Sequence, residues 1–312
     1  TDVKNRLRSG ALKRRLLTLS EGTIILSIRD RDITTIGNMN LALKRVRFES
    51  PFFECKSLLR VDFRGCTKLT LVGTGAFARC SSLTSVVLPD SLTQLGDAVF
   101  EECFSLTSVV FPDSLTQLGD GAFKECSSLT SLVLPDSLKQ LDTGAFARCS
   151  SLTSVVLPDN LTQLGNGAFA ECTSLTSLVL PDSLTQLGMG AIQECTSLTS
   201  VVLPDSLTQL GVQAFLECTS LTSVVVPYSV TEIGRWAFRR CPSLMSVILP
   251  DSAELGYEVF EECDALLQKA ALAGFDSVEL YLRDRYISIT LRKLVLRLLR
   301  KYNQAVNNAD GT

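Results

Sequence analysis

The sequence predicts a β-rich, curved, right-handed parallel β solenoid, with short helical or 3-10 turns between its strands and α-helical caps at its two ends. Three observations predict this fold: cysteines recurring every 23 residues, an apolar pattern repeated within each interval, and a proline that closes each predicted strand. Self-similarity at a fixed period is typical of solenoids, because each repeat covers the apolar face of its neighbour.

The cysteines mark the length of the repeat. They recur 23 residues apart from Cys80 to Cys241, and Cys263 follows after a step of 22. Eight regular units therefore fill residues 80–262. A shorter, degenerate unit precedes them and holds the two remaining cysteines.

Charge divides the chain into three parts. Residues 1–47 carry eleven Lys and Arg against four acids, residues 264–312 carry eight against five, and residues 48–263 carry eleven against twenty-four. We therefore expect a basic N-terminal cap segment, an acidic solenoid whose degenerate unit extends to residue 79, and a basic helical C-terminal cap. Because phosphate repels an acidic surface, no nucleic acid is expected as a partner.

Each unit has the apolar pattern of a short buried strand. Leu152, Val155 and Leu157 occupy the fourth, seventh and ninth positions of their unit. Pro158 ends the strand, because proline cannot donate to a ladder. This L-x-x-L-x-L spacing is typical of a leucine-rich repeat, and a later Gly-Ala-Phe segment is expected to return Phe169 to the core.

The unit resembles the BspA-like, treponemal-type leucine-rich repeat, whose consensus has the form C-x-x-L-x-x-I-x-L-P-x-x-L-x-x-I-x-x-x-A-F. The resemblance covers about residues 48–263 and has local departures. Ile192 replaces the phenylalanine in one unit, Tyr228 replaces the turn aspartate in another, and the last unit lacks one residue near Ala253. Members of that family are curved solenoids found as surface adhesins and as intracellular interaction proteins, so the resemblance implies a protein-binding role.

The eighth position of each unit is expected to face outwards on the concave sheet, since alternate strand residues point to opposite faces. At about 4.8 Å per rung the column forms an apolar stripe about 35 Å long. Such a patch favours a partner surface; the alternative is that β-branched residues merely suit a strand. This valine stripe consists of Val87, Val110, Val133, Val156, Val179, Val202, Val225 and Ile248.

The turn aspartates form a second column. They could bind calcium, or their side chains could accept backbone N–H groups within each turn, and we favour the turn. We expect no metal site and no cofactor. The column contains Asp90, Asp113, Asp136, Asp159, Asp182, Asp205 and Asp251.

The eleven cysteines are expected to be buried free thiols. Nine of them share one repeat position, so their sulfurs lie along a line, whereas zinc needs four converging thiolates. Adjacent rungs are close enough for disulfides, but cysteine also behaves as a small buried hydrophobe. Free thiols favour an intracellular or organellar location, while the sequon Asn160-Leu161-Thr162 leans weakly towards the cell surface.

Enzymatic activity is not expected. The chain contains no histidine, which excludes Ser-His-Asp, Cys-His and His-metal sites. The Gly-x-Gly pieces that begin at Gly119, Gly165 and Gly188 lack a third glycine and a Walker lysine, so they are predicted turns. No constellation of unlike polar residues interrupts the repeats to form a catalytic pocket.

The two ends are predicted to cover the exposed strand edges of the solenoid. A basic helix is expected around residues 4–15, with strand-like runs at 24–28 and 46–48. The C-terminal segment predicts an amphipathic helix that caps the last rung, or alternatively docks on an anionic membrane surface or an acidic partner. No transmembrane segment is expected, because no apolar run approaches about 20 residues. The basic face of this helix comprises Arg292, Lys293, Arg297, Arg300 and Lys301.

The outward Ser and Val columns barely vary between units, whereas the pair before each cysteine does. Partner-specific recognition is therefore expected on that edge. The varying pairs are Glu101-Glu102, Lys124-Glu125, Ala147-Arg148, Ala170-Glu171, Gln193-Glu194, Leu216-Glu217 and Arg239-Arg240.

These observations favour a non-catalytic scaffold that binds other proteins, as an accessory or structural subunit of a larger assembly. The alternative is a cell-surface adhesin of the BspA-like type. A third hypothesis is a peripheral membrane protein docked through the basic C-terminal helix.

Overall fold

The computed structural model describes residues 18–20, 23–27, 35–36, 52–64 and 66–283, the first three ranges as backbone strands only. The basic helix predicted around residues 4–15 and the strand-like run at 46–48 lie outside these residues, as does the basic face from Arg292 to Lys301.

Each unit folds as one rung that carries two short strands. The strands are β1 (Thr18–Ser20), β2 (Thr23–Ser27), β3 (Thr35–Ile36), β4 (Leu58–Asp62), β5 (Leu71–Val72), β6 (Ser85–Val87), β7 (Gln94–Leu95), β8 (Ser108–Val110), β9 (Gln117–Leu118), β10 (Ser131–Val133), β11 (Gln140–Leu141), β12 (Ser154–Val156), β13 (Gln163–Leu164), β14 (Ser177–Val179), β15 (Gln186–Leu187), β16 (Ser200–Val202), β17 (Gln209–Leu210), β18 (Ser223–Val225), β19 (Glu232–Ile233), β20 (Ser246–Ile248) and β21 (Glu254–Leu255).

Equivalent strands of successive rungs pair in parallel and in register. The even-numbered strands from β2 to β20 form a first ribbon, and the odd-numbered strands from β3 to β21 form a second. Ser131 faces Ser154 in the first ribbon, and Leu141 faces Leu164 in the second. The parallel solenoid predicted from the repeat is confirmed. At the N-terminal end, β1 pairs antiparallel with β2.

The ladders of hydrogen bonds are interrupted at three places within residues 66–283. The first ribbon breaks between β8 and β10 and between β12 and β14, and the second breaks between β9 and β11. The rung that begins at Cys126 is also where two repeat positions change, since Lys139 replaces a threonine and Asp142 replaces a glycine. Between this rung and the one before it, both ribbons are broken.

A third column of turns returns the chain from the second strand to the next rung. Its hydrogen bonds run from residue i+3 back to residue i, as in Cys126 N to Phe123 O (3.2 Å), which is the 3-10 pattern predicted for these segments. Bonds between rungs join the turns, for example Phe123 N to Ala145 O (2.8 Å). The predicted Gly-x-Gly turns are confirmed, because Gly121, Gly167 and Gly190 have φ near +60°.

The core lies between the ribbons and the turn column and is the same in nearly every rung. Phenylalanine rings stack along it, with neighbouring centroids such as Phe123 and Phe146 5.4 Å apart and planes within 9°. Ile192 takes the phenylalanine position in one rung and is fully buried there. Since one rung alone cannot cover its own apolar face, the stacking of rungs supplies the burial that stabilises the fold.

All eleven cysteines are free and buried, which confirms the prediction of free thiols. In the regular column each Sγ donates to a carbonyl of the preceding turn, as in Cys149 Sγ to Phe123 O (3.3 Å). Burial raises the pKa of Cys103, Cys149 and Cys195 to about 12, because the low-dielectric core disfavours the thiolate. The column is therefore chemically inert while the rungs stay closed.

A thiol titration tests this prediction. At pH 8 a disulfide-exchange reagent is expected to modify almost none of the eleven cysteines in the folded protein, because the reactive thiolate is both rare and inaccessible. In denaturant the same reagent should count all eleven. Rapid modification of several thiols under native conditions would show that the column is not closed.

The C-terminal end of the solenoid is covered by a short helix, α1 (Asp264–Leu272). Leu266 and Ala270 are buried on the last rung, and Lys269 Nζ donates to Met245 O (2.9 Å). Residues 278–283 are helical as well. We propose that α1 begins the C-terminal cap and that β1 belongs to the N-terminal one.

Candidate functional site

The valine stripe is exposed along most of its length. From Val110 to Val225 the side chains are at least 57% exposed, Ile248 is 42% exposed, and Val87 is half-buried. The alternation within each strand produces this arrangement, since the seventh position turns inwards (Val109, 8% exposed) and the eighth outwards. The structure thus brings these eight residues together as one apolar column.

Polar side chains flank the stripe without interrupting it. The serine at the sixth position faces the same way as the valine, and both keep register from rung to rung, as Val179 does with Val202. On one side a ladder of threonines binds the backbone of the preceding rung, for example Thr153 Oγ1 to Thr130 O (3.0 Å). The apolar column therefore lies on a backbone that hydrogen bonds hold in place.

The turn aspartates do not act as predicted. Within the described residues none of their carboxylates accepts a hydrogen bond, so the expectation that they accept backbone N–H groups was wrong. In most of these turns the serine after the aspartate instead donates a hydrogen bond to a backbone carbonyl of the preceding rung, as in Ser183 Oγ to Leu161 O (2.6 Å). No group of three or more Cys, Asp or Glu residues suited to a metal occurs in that part of the chain.

Sequence reasoning missed a shallow groove on the second ribbon. Its volume is about 460 Å³, and it runs across several rungs between a glutamine column and the backbone of a glycine column. The glutamines bond to one another in part, as in Gln163 Nε2 to Gln186 Oε1 (3.3 Å). The Gln-Leu-Gly that recurs in most units was the available signal, but the sequence alone does not show that the absence of a side chain at the glycine leaves a groove.

The match to a known family decides the identity of the repeat. The model of the BspA-type leucine-rich repeat region matches residues 46–165 and 139–267, with six copies. The chain belongs to the BspA-type leucine-rich repeat family. The resemblance predicted from the repeat unit is thereby confirmed.

Several solved structures of bacterial leucine-rich repeat proteins are similar to this chain. A protein from Bacteroides ovatus is 24% identical, with a TM-score of 0.41 over 84% of this chain and 95% of that chain. A leucine-rich repeat protein of T. pallidum is 25% identical, with a TM-score of 0.37 over 70% and 84%. One from Eubacterium ventriosum is 19% identical, with a TM-score of 0.46 over 75% and 82%. Among curated proteins no match was found.

The edge before each cysteine of the BspA-type rung carries a ladder of ion pairs. Arg148 lies between two carboxylates, Glu125 (3.1 Å) and Glu171 (2.9 Å). Arg240 lies in the same way between Glu217 (2.9 Å) and Glu262 (3.1 Å). Every residue of this column has φ near +60°, the left-handed conformation, although none is glycine. The predicted variable edge is thus a column of charges fixed on an unusual backbone.

Glu194 is the exception in this ladder. Its neighbours in the column are Glu171 and Glu217, and within the described residues no basic side chain lies within 4 Å of it. Burial first, and then the charges of these two carboxylates, raise the pKa of Glu194 above its ordinary range. Ionising Glu194 therefore costs more free energy in the folded state than in the unfolded state.

Glu194→Gln is expected to stabilise the protein at pH 7 by about 0.5 kcal/mol, since the site is near the surface. A carboxyl whose pKa is raised on folding binds its proton more tightly in the folded state, so its penalty fades as the pH falls. The gain should vanish by about pH 3, where Glu194 is protonated in both states. Urea unfolding at several pH values measures it. The control Glu125→Gln breaks an ion pair with Arg148 (3.1 Å) and should destabilise; a gain in both variants would contradict the prediction.

Leucine-rich repeat solenoids of this kind are typically non-enzymatic, and they generally bind other proteins. Within residues 52–64 and 66–283, no helix combines the length and the apolar character that crossing a bilayer requires. The predicted basic face from Arg292 to Lys301 lies outside the described residues.

Proposed function

We propose that this BspA-type solenoid is a non-catalytic scaffold that binds a protein through the valine stripe. The observation that carries the proposal is the uninterrupted exposure of the column from Val110 to Ile248. At about 4.8 Å per rung these seven side chains span roughly 29 Å, and contiguous apolar patches of this size mark interaction sites. The beta propensity of valine explains its choice in a strand, but it does not require the face to stay uncovered.

The rigidity of the face supports the proposal. From β14 to β20 the strand backbone is held by an unbroken parallel ladder and by threonine bonds such as Thr199 Oγ1 to Thr176 O (3.1 Å), so little conformational entropy is lost when a partner docks there. The role within a larger assembly, as an accessory or structural subunit, rests on the same surface together with the opposite charges of the solenoid and of the two ends of the chain.

A charge-placement experiment tests the stripe. Val156→Lys combined with Val179→Lys puts two charges in its centre, and the exposure of both positions means that the fold should be retained. The matched control is Gln163→Lys with Gln186→Lys, which adds the same charge on the other ribbon. Each tagged protein is incubated with extract of the source cells, and captured proteins are identified by mass spectrometry.

We expect the wild type and the glutamine control to retain the same partners and the stripe variant to lose them by at least about tenfold. Equal capture by both variants would overturn the assignment of the stripe. Recovery of the wild type in a salt-sensitive complex supports the subunit role, whereas retention on intact cell surfaces instead would support the adhesin.

A further inference from the structure

One pair of rungs near the C-terminal end carries Trp236 and the exposed Tyr257 in its turn column. Trp236 stands at a repeat position that five other rungs fill with glycine: Gly75, Gly121, Gly144, Gly167 and Gly190. Around it lie Arg235 and Arg239 on the same rung and Tyr257 and Glu258 on the next. We call these five residues the arginine–tryptophan cluster.

The backbone at Trp236 adopts a conformation that glycine would favour. Its φ is +61°, in the left-handed region, and its N–H donates to Tyr257 O (3.0 Å). A bulky residue is uncommon at such a φ value. Ala98, Gln213 and Glu258 share this conformation at the same repeat position, so what distinguishes Trp236 is its side chain and not its backbone.

The indole is fixed from three sides. Its Nε1 donates to Glu258 Oε2 (2.8 Å). The guanidinium of Arg235 lies 4.0 Å from the ring centroid and that of Arg239 lies 5.3 Å away. These contacts hold an aromatic surface and a stacked arginine in one arrangement before any ligand arrives.

The arginines of the cluster differ in what neutralises them. Arg239 pairs with Glu261 (2.6 Å) and Glu262 (3.2 Å). Arg235 is exposed, and within the described residues no carboxylate lies within 4 Å of it. The indole orients this guanidinium, and its N–H groups remain available. A planar guanidinium presents two parallel N–H donors, which suit bidentate binding of a carboxylate.

We propose that the arginine–tryptophan cluster is a second protein-docking site, which receives an acidic segment of a partner. A carboxylate of that segment binds Arg235, and its neighbouring side chains pack on Trp236 and on Tyr257, which is 66% exposed. Tryptophan, tyrosine and arginine are the residues that dominate the binding energy of interfaces.

The chain provides its own reporter for the test, since Trp236 is its only tryptophan. The probe is a short oligoglutamate peptide, titrated at low salt while the emission of Trp236 is recorded. Oligolysine and inorganic phosphate serve as comparison ligands. The variants are Arg235→Gln and Arg235→Lys, with Arg148→Gln as control, because Arg148 is an exposed arginine already held by two glutamates.

We expect a saturable change in emission with oligoglutamate for the wild type and for Arg148→Gln. Arg235→Gln should weaken the apparent affinity about tenfold, and Arg235→Lys should lose part of it because the charge stays but the fork is gone. No response to oligoglutamate, or an unchanged affinity in Arg235→Gln, would overturn the proposal. Equal binding of inorganic phosphate would overturn its assignment to carboxylate. The outcome is independent of the valine stripe, which lies on another face.

Discussion

Phe146→Ala is expected to lower the free energy of unfolding by about 3–5 kcal/mol. The ring is fully buried and stacks on both sides, with centroids 5.4 Å from Phe123 and 5.6 Å from Phe169. Removing it leaves a cavity between two rungs that the hydrogen-bonded turn column prevents from collapsing. Urea unfolding followed by circular dichroism measures the loss.

Two further variants show whether the loss comes from the cavity. Phe146→Leu keeps most of the volume and should cost about 1.5 kcal/mol or less. Val156→Ala removes an exposed side chain and should change stability by no more than about 0.5 kcal/mol. A value for Phe146→Ala no larger than that of Val156→Ala would show that the stacked rings do not stabilise the core.

Gly188→Ala is the second change with a large expected effect, a loss of about 1–3 kcal/mol or more. A Cβ at this position would lie 2.6 Å from Gly165 C and 2.7 Å from Asn166 N, in the backbone of the preceding rung. The two rungs would have to separate. Unfolding in urea and amide hydrogen exchange of the second ribbon detect this opening.

Gly144→Ala separates close packing from backbone conformation. Its φ is +62°, and the nearest atom to an added Cβ is Ala147 Cβ at 3.8 Å, so the cost is only the left-handed conformation, about 1 kcal/mol.

The rung of Asp142 gives the reverse comparison, because the glycine is already replaced there and the ladder between β9 and β11 is absent. Asp142→Gly should therefore increase stability; a loss would refute the packing argument.

The repeat made the fold predictable because it fixes everything that recurs. The burial of Cys149, the outward face of Val156 and the turn at Gly167 all follow from one spacing applied many times. The left-handed column at Arg148 and its equivalents gave no such signal, since glutamate and arginine have no preference for a positive φ value.

The features that do not recur were the hardest to predict. The replacement of glycine by Trp236 is visible in the sequence, but the stacking of Arg235 on the indole depends on coordinates. The isolation of Glu194 likewise arises from residues 23 positions away on either side, which become neighbours only when the rungs stack. The sequence therefore indicated that the edge before each cysteine varies between units. It did not indicate which residues make one rung of that edge different from the next.

The paired interruption of the ribbons has a mechanical consequence. Between the rungs that begin at Cys103 and Cys126, the described backbone–backbone hydrogen bonds cross in the turn column alone, for example from Glu125 N to Ala147 O (2.8 Å). Two rungs that share backbone hydrogen bonds in only one of three columns can separate more easily than rungs that share them in all three. We therefore expect the solenoid to bend most easily at the junction between these two rungs, which the turn column, the stacked rings of Phe123 and Phe146 and side-chain bonds such as Thr143 N to Asp120 Oδ1 (2.9 Å) still join.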